Sequence, residues 1–245
     1  AYEISTRDWV QTCALPICIR ARAAEVAGTS ALRGARDSAA LEGAELPIED
    51  FVSGLDRSPI GQAGAASLAV TRELPGQVDA WRQAPLQVLA RLHLLATHTF
   101  ADADERGRPR GDLTVVDPLH IGPPPAAEDI APRLEALTEI LTSSTRAPAI
   151  VVAAIAHGEL LALRPFRWGS GIIARASVRL VLASRGVDPD LMSCPEAGML
   201  DLGRSSYVNA LRGYLSGDPG AVADWITWNA AAIGFGAACM RLPSG

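Results

Sequence analysis

Residues 164 to 175 read Arg-Pro-Phe-Arg-Trp-Gly-Ser-Gly-Ile-Ile-Ala-Arg, and the order of those types bears on chemistry. A proline closes an apolar, helix-like stretch, a Gly-Ser-Gly turn follows, and a second helix-like stretch opens behind it. A helix start carries free N–H groups and the positive end of a dipole. The turn at Gly169, Ser170 and Gly171 is therefore a candidate seat for an anion, phosphate above all. Both glycines let backbone approach a ligand closely. Arg175, one turn above Gly171, can add a charged fork to the same oxyanion. The same turn also suits a helix connection whose glycines serve packing alone, so the rest of the chain has to decide.

The 245 residues are 49% hydrophobic with a net charge of −5, enough apolar content for one cored domain. No basic stripe suits wrapping of nucleic acid. There is no lysine; all 22 basic residues are arginine. A Walker A lysine, a kinase strand lysine and Schiff-base chemistry are thereby excluded. Phosphates would have to be held by arginine and backbone N–H groups. Cys13, Cys18, Cys194 and Cys239 form no CxxC pair, and His93, His98, His120 and His157 show no zinc spacing with them. Free thiols imply a reducing compartment, and hence the cytoplasm.

Residues 1–20 lack the Ala/Arg/Gly character that begins at Ala21 and read as a tail with no clean export signal. A single domain is expected over 21–240. Its first helix runs from Ala23 to Leu46, with Asp37 and Ser38 available as caps and Pro47 as the stop. A mixed segment follows to Leu74, then a helix over 85–100 and a charged loop over 101–112. Leu113 to Ile121 is the one extended piece, limited by Pro118 to an edge or hairpin and stopped by the Gly-Pro-Pro-Pro run at 122–125. Helices are then expected over 128–141, 147–163, 171–185, 204–215 and 221–240. The segment 147–163 is apolar nearly all round, which predicts a central buried helix; it is too short, with His157 and Glu159, for a membrane span. The fold class expected is all-α with a small β-hairpin.

This layout resembles the Fic, or Fido-domain, family over roughly Ala21 to Ala238. The family signature is HPF-x-[DE]-G-N-G-R-x-x-R between two core helices, and here it stands as RPFRWGSGIIAR. The preceding AAIAHGELLAL, the earlier GPPPAAEDI and the later YVNALRGYLSGDPGAVADWI agree with the family's order. The resemblance implies a helical bundle with a hairpin flap beside the site, where LTVVDPLHI (113–121) sits and where a protein target would pass. It implies a reaction that moves AMP from ATP to a protein hydroxyl. It also implies an inhibitory helix carrying [ST]-x-x-x-E-[GN]. The chain has Ser38, Glu42 and Gly43 in that pattern, within a helix over about 30–46. Glu42 would pair with Arg175 and stand in the place of the nucleotide's γ-phosphate. Without that role, Glu42 is a solvent-facing residue on an Ala-rich helix.

The departures fall on the chemistry. Arg164 stands where the family has its base histidine, and arginine stays protonated at any physiological pH. Trp168 replaces the acidic metal ligand and offers no oxygen, so Mg²⁺ loses its carboxylate. Ser170 replaces Asn, with a hydroxyl that can cap the helix or touch phosphate. Ile172 replaces the first arginine. His157, two turns before Arg164, reads as a packed core histidine, His120 as a surface or hairpin residue, and His93 as a helix-face residue. Arg164 either favours an anion or pairs with an acidic side chain such as Glu159 or Glu42.

Three functions stay open at this point. The first is a nucleotide- or phosphate-binding protein with impaired AMP transfer. The second is an active transferase inhibited through Glu42. The third is a helical interaction module whose pocket is closed by Trp168 and Ile172. Losing the base alone costs about 10² to 10⁴ in rate, which favours the first over the second.

Overall fold

The computed structural model describes residues 22–240; the 1–20 tail, with Cys13 and Cys18, lies outside them. Among these residues ten α-helices follow one another: α1 (Ala23–Leu41), α2 (Ile48–Ser53), α3 (Pro59–Gln83), α4 (Pro85–Thr97), α5 (Ile130–Thr142), α6 (Ala149–Leu163), α7 (Ser170–Ser184), α8 (Pro195–Asp201), α9 (Arg204–Leu215) and α10 (Pro219–Ala238). No helix of the described residues is long and apolar enough to cross a membrane.

The centre is the α6–α7 pair. From Val152 to Leu163 almost every side chain of α6 is buried, and α7 is buried from Ser170 to Ala183. A helix apolar on all sides cannot rest on a surface, so the other helices wrap it. Helix α3 packs on α1, α4 and α7, while α10 covers α6, α8 and α9. Trp81, Tyr207 and Trp225 are among the largest side chains sealed in this core. Helix α3 runs 25 residues straight through Pro75, where a mixed segment ending near Leu74 was expected. Ser58 caps it by accepting from Gly61 N–H at 3.1 Å, and burial of Ala66, Val70, Leu74 and Trp81 outweighs the proline and glycines.

Helix α1 ends at Leu41, not near Leu46. Gly43 adopts φ +89° and its N–H bonds Ala40 O at 2.9 Å, while Ala44 N–H bonds Ala39 O at 2.9 Å. That double bond is a Schellman stop, which glycine makes without steric cost. Asp37 and Ser38, read as caps, sit inside the helix. Asp37 pairs with Arg33 and Arg36, and Ser38 faces the core.

Among the described residues there is no β-strand, so 113–121 is no hairpin. The segment lies along the 164–168 loop. Arg110 N–H donates to Pro165 O and Val116 N–H to Arg167 O, each at 2.8 Å. Beyond it the chain turns: Asp117 Oδ2 accepts from Ile121 N–H at 2.9 Å and Gly122 N–H at 3.1 Å. An aspartate that turns the chain, followed by a proline without a donor, leaves no second strand to pair with.

Candidate functional site

The Schellman stop places Glu42 at the very end of α1, over the first turn of α7. There its carboxylate meets Arg175. The Arg175 guanidinium donates through Nη2 to Glu42 Oε1 at 2.6 Å and to Ser38 O at 3.0 Å, and through Nε to Ser38 Oγ at 2.9 Å. Both partners are shut away from water, with side chains 0% and 9% exposed. Burial works against the charge on Arg175, but Glu42 and Tyr207 together more than offset it and hold the guanidinium above its ordinary value. Its Nη1 has no hydrogen-bond partner among the described residues.

Gly171 explains why the carboxylate fits. A β-carbon there would collide with Glu42 Oε1 and lie 3.2 Å from Arg175 Nη1. Glu42 thus occupies the space that the turn leaves open at the start of α7, where N–H groups and dipole favour negative charge. Gly169, at φ +73°, supplies the left-handed entry to α7. The structure brings together five residues picked from sequence: Ser38, Glu42, Gly43, Gly171 and Arg175.

Ser170 does something else. Its hydroxyl donates to Phe166 O at 3.1 Å and accepts from Phe166 N–H at 3.2 Å, so it ties the loop to itself. Phe166 in turn stacks on His93, centroids 4.0 Å apart and nearly parallel. His93, read as a helix-face residue, lies on the buried face of α4. Burial pushes its imidazole down to about 4, and its Nδ1 accepts from Gly107 N–H at 2.9 Å. His157 is the packed core residue that its neighbours predicted. It lies between Asn229 Oδ1 and Tyr207 Oη, each at 2.8 Å, and burial takes it to about 3.

Arg164 ends α6 in a left-handed conformation (φ 43°, ψ 66°) with only 5% of its surface exposed. Neither Glu159 nor Glu42 is its partner. Glu159 bonds Arg133 at 2.6 Å, and the carboxylate facing Arg164 is Asp117, with Oδ2 at 3.3 Å from Nη1. Burial holds the Arg164 guanidinium below its ordinary value; Asp117 opposes this and the nearby Arg110 adds to it.

These groups line a cavity of about 190 Å³ that includes Glu42, Gly43, Asp117, Arg164, Trp168 and Gly171. The volume is below the ~300–1,000 Å³ of ordinary small-molecule sites, as expected with a carboxylate standing in it. Trp168 lines it while packing edge-on against Phe100 at 4.7 Å; Ile172 is absorbed into the core and does not fill it. No histidine is among its walls. Among the described residues no group of three or more His, Cys, Asp or Glu could hold an ion, and the indole of Trp168 offers none an oxygen. The donor set does not fit Mg²⁺. The guanidinium of Arg175 and the N–H groups at the start of α7 are the groups here that could hold an oxyanion, at the place Glu42 now fills.

Asp117, Arg110 and His93 were not singled out as site residues. An Asp-Pro pair signals a turn, which could have flagged Asp117. The His93–Phe166 stack joins residues 73 positions apart and leaves no local trace.

No protein-family model matches the sequence, and no curated protein matches it. Solved structures do. A Fic family protein from Desulfovibrio desulfuricans G20 superposes with a TM-score of 0.65 at 16% identity, over 99% of this chain and 78% of its own. A fragment of Fic-1 from C. elegans gives 0.63 at 19% identity, over 97% and 76%. A variant of that fragment gives 0.61 at 18% identity, over 97% and 76%. The chain has the fold of Fic family proteins.

Proposed function

We propose that this Fic-fold chain binds a nucleotide or other phosphate ligand at the turn 169–171 and Arg175, that its own Glu42 holds the seat closed, and that it is impaired in AMP transfer. The observation that carries the reading is the buried Glu42–Arg175 pair seated against Gly171. A carboxylate that satisfies the arginine and fills the turn is a competitor for any phosphate there. Glycine at 171 gains nothing for helix stability and serves only close approach.

The chemistry is limited by what surrounds the seat. A general base must accept a proton near neutral pH, and Arg164 stands protonated where one would be needed. Without an acidic ligand at Trp168, charge developing on a transferred phosphoryl group goes unneutralised by metal. A protein partner would run along 113–121, where Leu113 is 45% and Val116 52% exposed. Free Cys194 and Cys239 agree with a cytoplasmic setting.

An intact lock also favours a second reading, an active transferase under restraint, because a device that shuts a seat presupposes something to shut. The two separate in one assay: AMP label from ATP offered to Glu42→Gly protein, with ATP binding measured on the same sample. Binding without label supports the first reading. Label on the protein or a partner establishes the second, and neither binding nor label in a folded variant removes both.

A further inference from the structure

Two buried cations meet at the end of α6. Arg110, 6% exposed, spends its donors on carbonyls: Nε on Arg164 O at 3.0 Å, Nη1 on Gly111 O at 2.8 Å and Nη2 on Pro125 O at 2.6 Å. Among the described residues it has no carboxylate of its own. Arg164 has Asp117 alone, at 3.3 Å and outside hydrogen-bond geometry, and the facing oxygen already serves two backbone N–H groups. The Nε and Nη1 of Arg164 are buried and make no hydrogen bond among the described residues. Two positive charges thus lie close together with one carboxylate beside Arg164, whose guanidinium, nearly out of water, lacks two hydrogen bonds. A buried donor without a partner is costly, and more so when it carries charge.

Arg164 also lies between two cavities. One is the Glu42-plugged cavity. The other, about 560 Å³, is lined by Pro123, Pro125, Arg133, Glu159 and Tyr214 as well as Arg164. Its size is that of an ordinary small-molecule site. Arg133 and Glu159 satisfy one another there, so Arg164 is the cation left to recruit a ligand, and the prolines supply an apolar wall.

We propose that this second cavity is a binding site for a small organic oxyanion, a carboxylate or phosphomonoester with an apolar body, seated on Arg164 and accessible while Glu42 keeps the first cavity shut. No hydrogen bond restrains the Arg164 guanidinium through Nε or Nη1, so a modest rotation of its terminal torsions turns those donors toward the cavity. The ligand's negative charge then balances the second arginine. The site stands apart from the Glu42–Arg175 seat and does not depend on it.

The test is titration calorimetry of phenyl phosphate and of benzoate into the full chain with its native Glu42. Binding is expected for at least one, weakened about tenfold or more in Arg164→Gln, which removes a charge-assisted contact. Leu215→Trp, a substitution in the partly exposed wall, should weaken it similarly by narrowing the cavity without touching Arg164. Arg175→Ala should leave the affinity within about twofold, since that arginine is not in this cavity. Binding that survives Arg164→Gln and is lost in Arg175→Ala would place the anion in the other seat and overturn the assignment. So would no heat from either compound at about 10 mM with a folded protein.

Discussion

The carboxylate of Glu42 stands where a β-carbon on Gly171 would have to be. A residue from the end of α1 and a residue from the first turn of α7 therefore compete for one volume, and only glycine lets both elements close. The collision meets the end of a side chain, but that end is pinned by Arg175 and buried. Gly171→Ala should dislodge the pair. We expect a loss of about 3 kcal/mol or more in the native background, because breaking a buried ion pair costs about 3–5 kcal/mol. In Glu42→Gly the same alanine should cost under about 1 kcal/mol, since the obstacle is gone and alanine suits a helix. Urea unfolding of the four proteins gives the coupling; additive losses would show that Glu42 is not seated against the turn.

Acid should weaken the fold through its buried imidazoles. His93 is pushed down to about 4 and His157 to about 3, each by burial, against an ordinary value of 6.5. Above 6.5 both are neutral in either state and the folded chain loses nothing. Below it the unfolded chain takes up protons that the folded chain refuses, so stability falls as the pH drops from 6.5 toward 4. Each histidine adds up to about 1.4 kcal/mol per pH unit in that window. His93→Gln should flatten the dependence of unfolding free energy between about pH 6 and 4.5. An unchanged slope would mean that His93 is protonated in the fold.

Much of this was legible in the residues. The apolar run before Pro165 and the Gly-Ser-Gly turn behind it place the central helix pair within a residue or two, because burial on all sides and glycine punctuation leave strong local marks. The contact of Glu42 with Arg175 follows from the family resemblance that Ser38, Glu42 and Gly43 carry, not from their spacing alone. Helix α1 was read too long because alanine content favours helix up to Pro47, while the decisive signal was one glycine whose positive φ ends it at Leu41. The hairpin over 113–121 was read from Val115 and Val116, but a strand needs a partner, and Asp117 uses its carboxylate to turn the chain instead. Ser170 was given to the ligand, yet its hydroxyl serves Phe166. These choices are settled within four or five residues, by which backbone group a side chain reaches, whereas the pairing of Arg164 with Asp117 joins parts of the chain far apart in sequence.

Arg204 ties two of these parts together. From the start of α9 it donates through Nε to Leu41 O at 3.2 Å and through Nη2 to Pro118 O at 2.6 Å, bridging the end of α1 to the 113–121 segment. Arg212 adds a bond from Nη2 to His120 O at 2.9 Å. Both arginines sit at the surface, so the stability at stake is small, under about 1 kcal/mol. Arg204→Ala should raise hydrogen exchange about two- to fivefold in both 41–44 and 117–122 while leaving α6 and α7 unchanged. Faster exchange in one segment alone would show that the bridge does not couple them.

Whether Glu42 takes the place of a ligand's phosphate on Arg175 is decided by an ADP titration of three proteins. Removing the carboxylate leaves a buried, uncompensated arginine that an anion can rescue, so binding and a raised melting temperature should appear together in Glu42→Gly. The native chain should give at least about tenfold weaker binding, and Glu42→Gly/Arg175→Ala should give none at millimolar ADP. Equal affinity in the native chain and Glu42→Gly, or no heat and no thermal shift in a folded Glu42→Gly, would contradict the account.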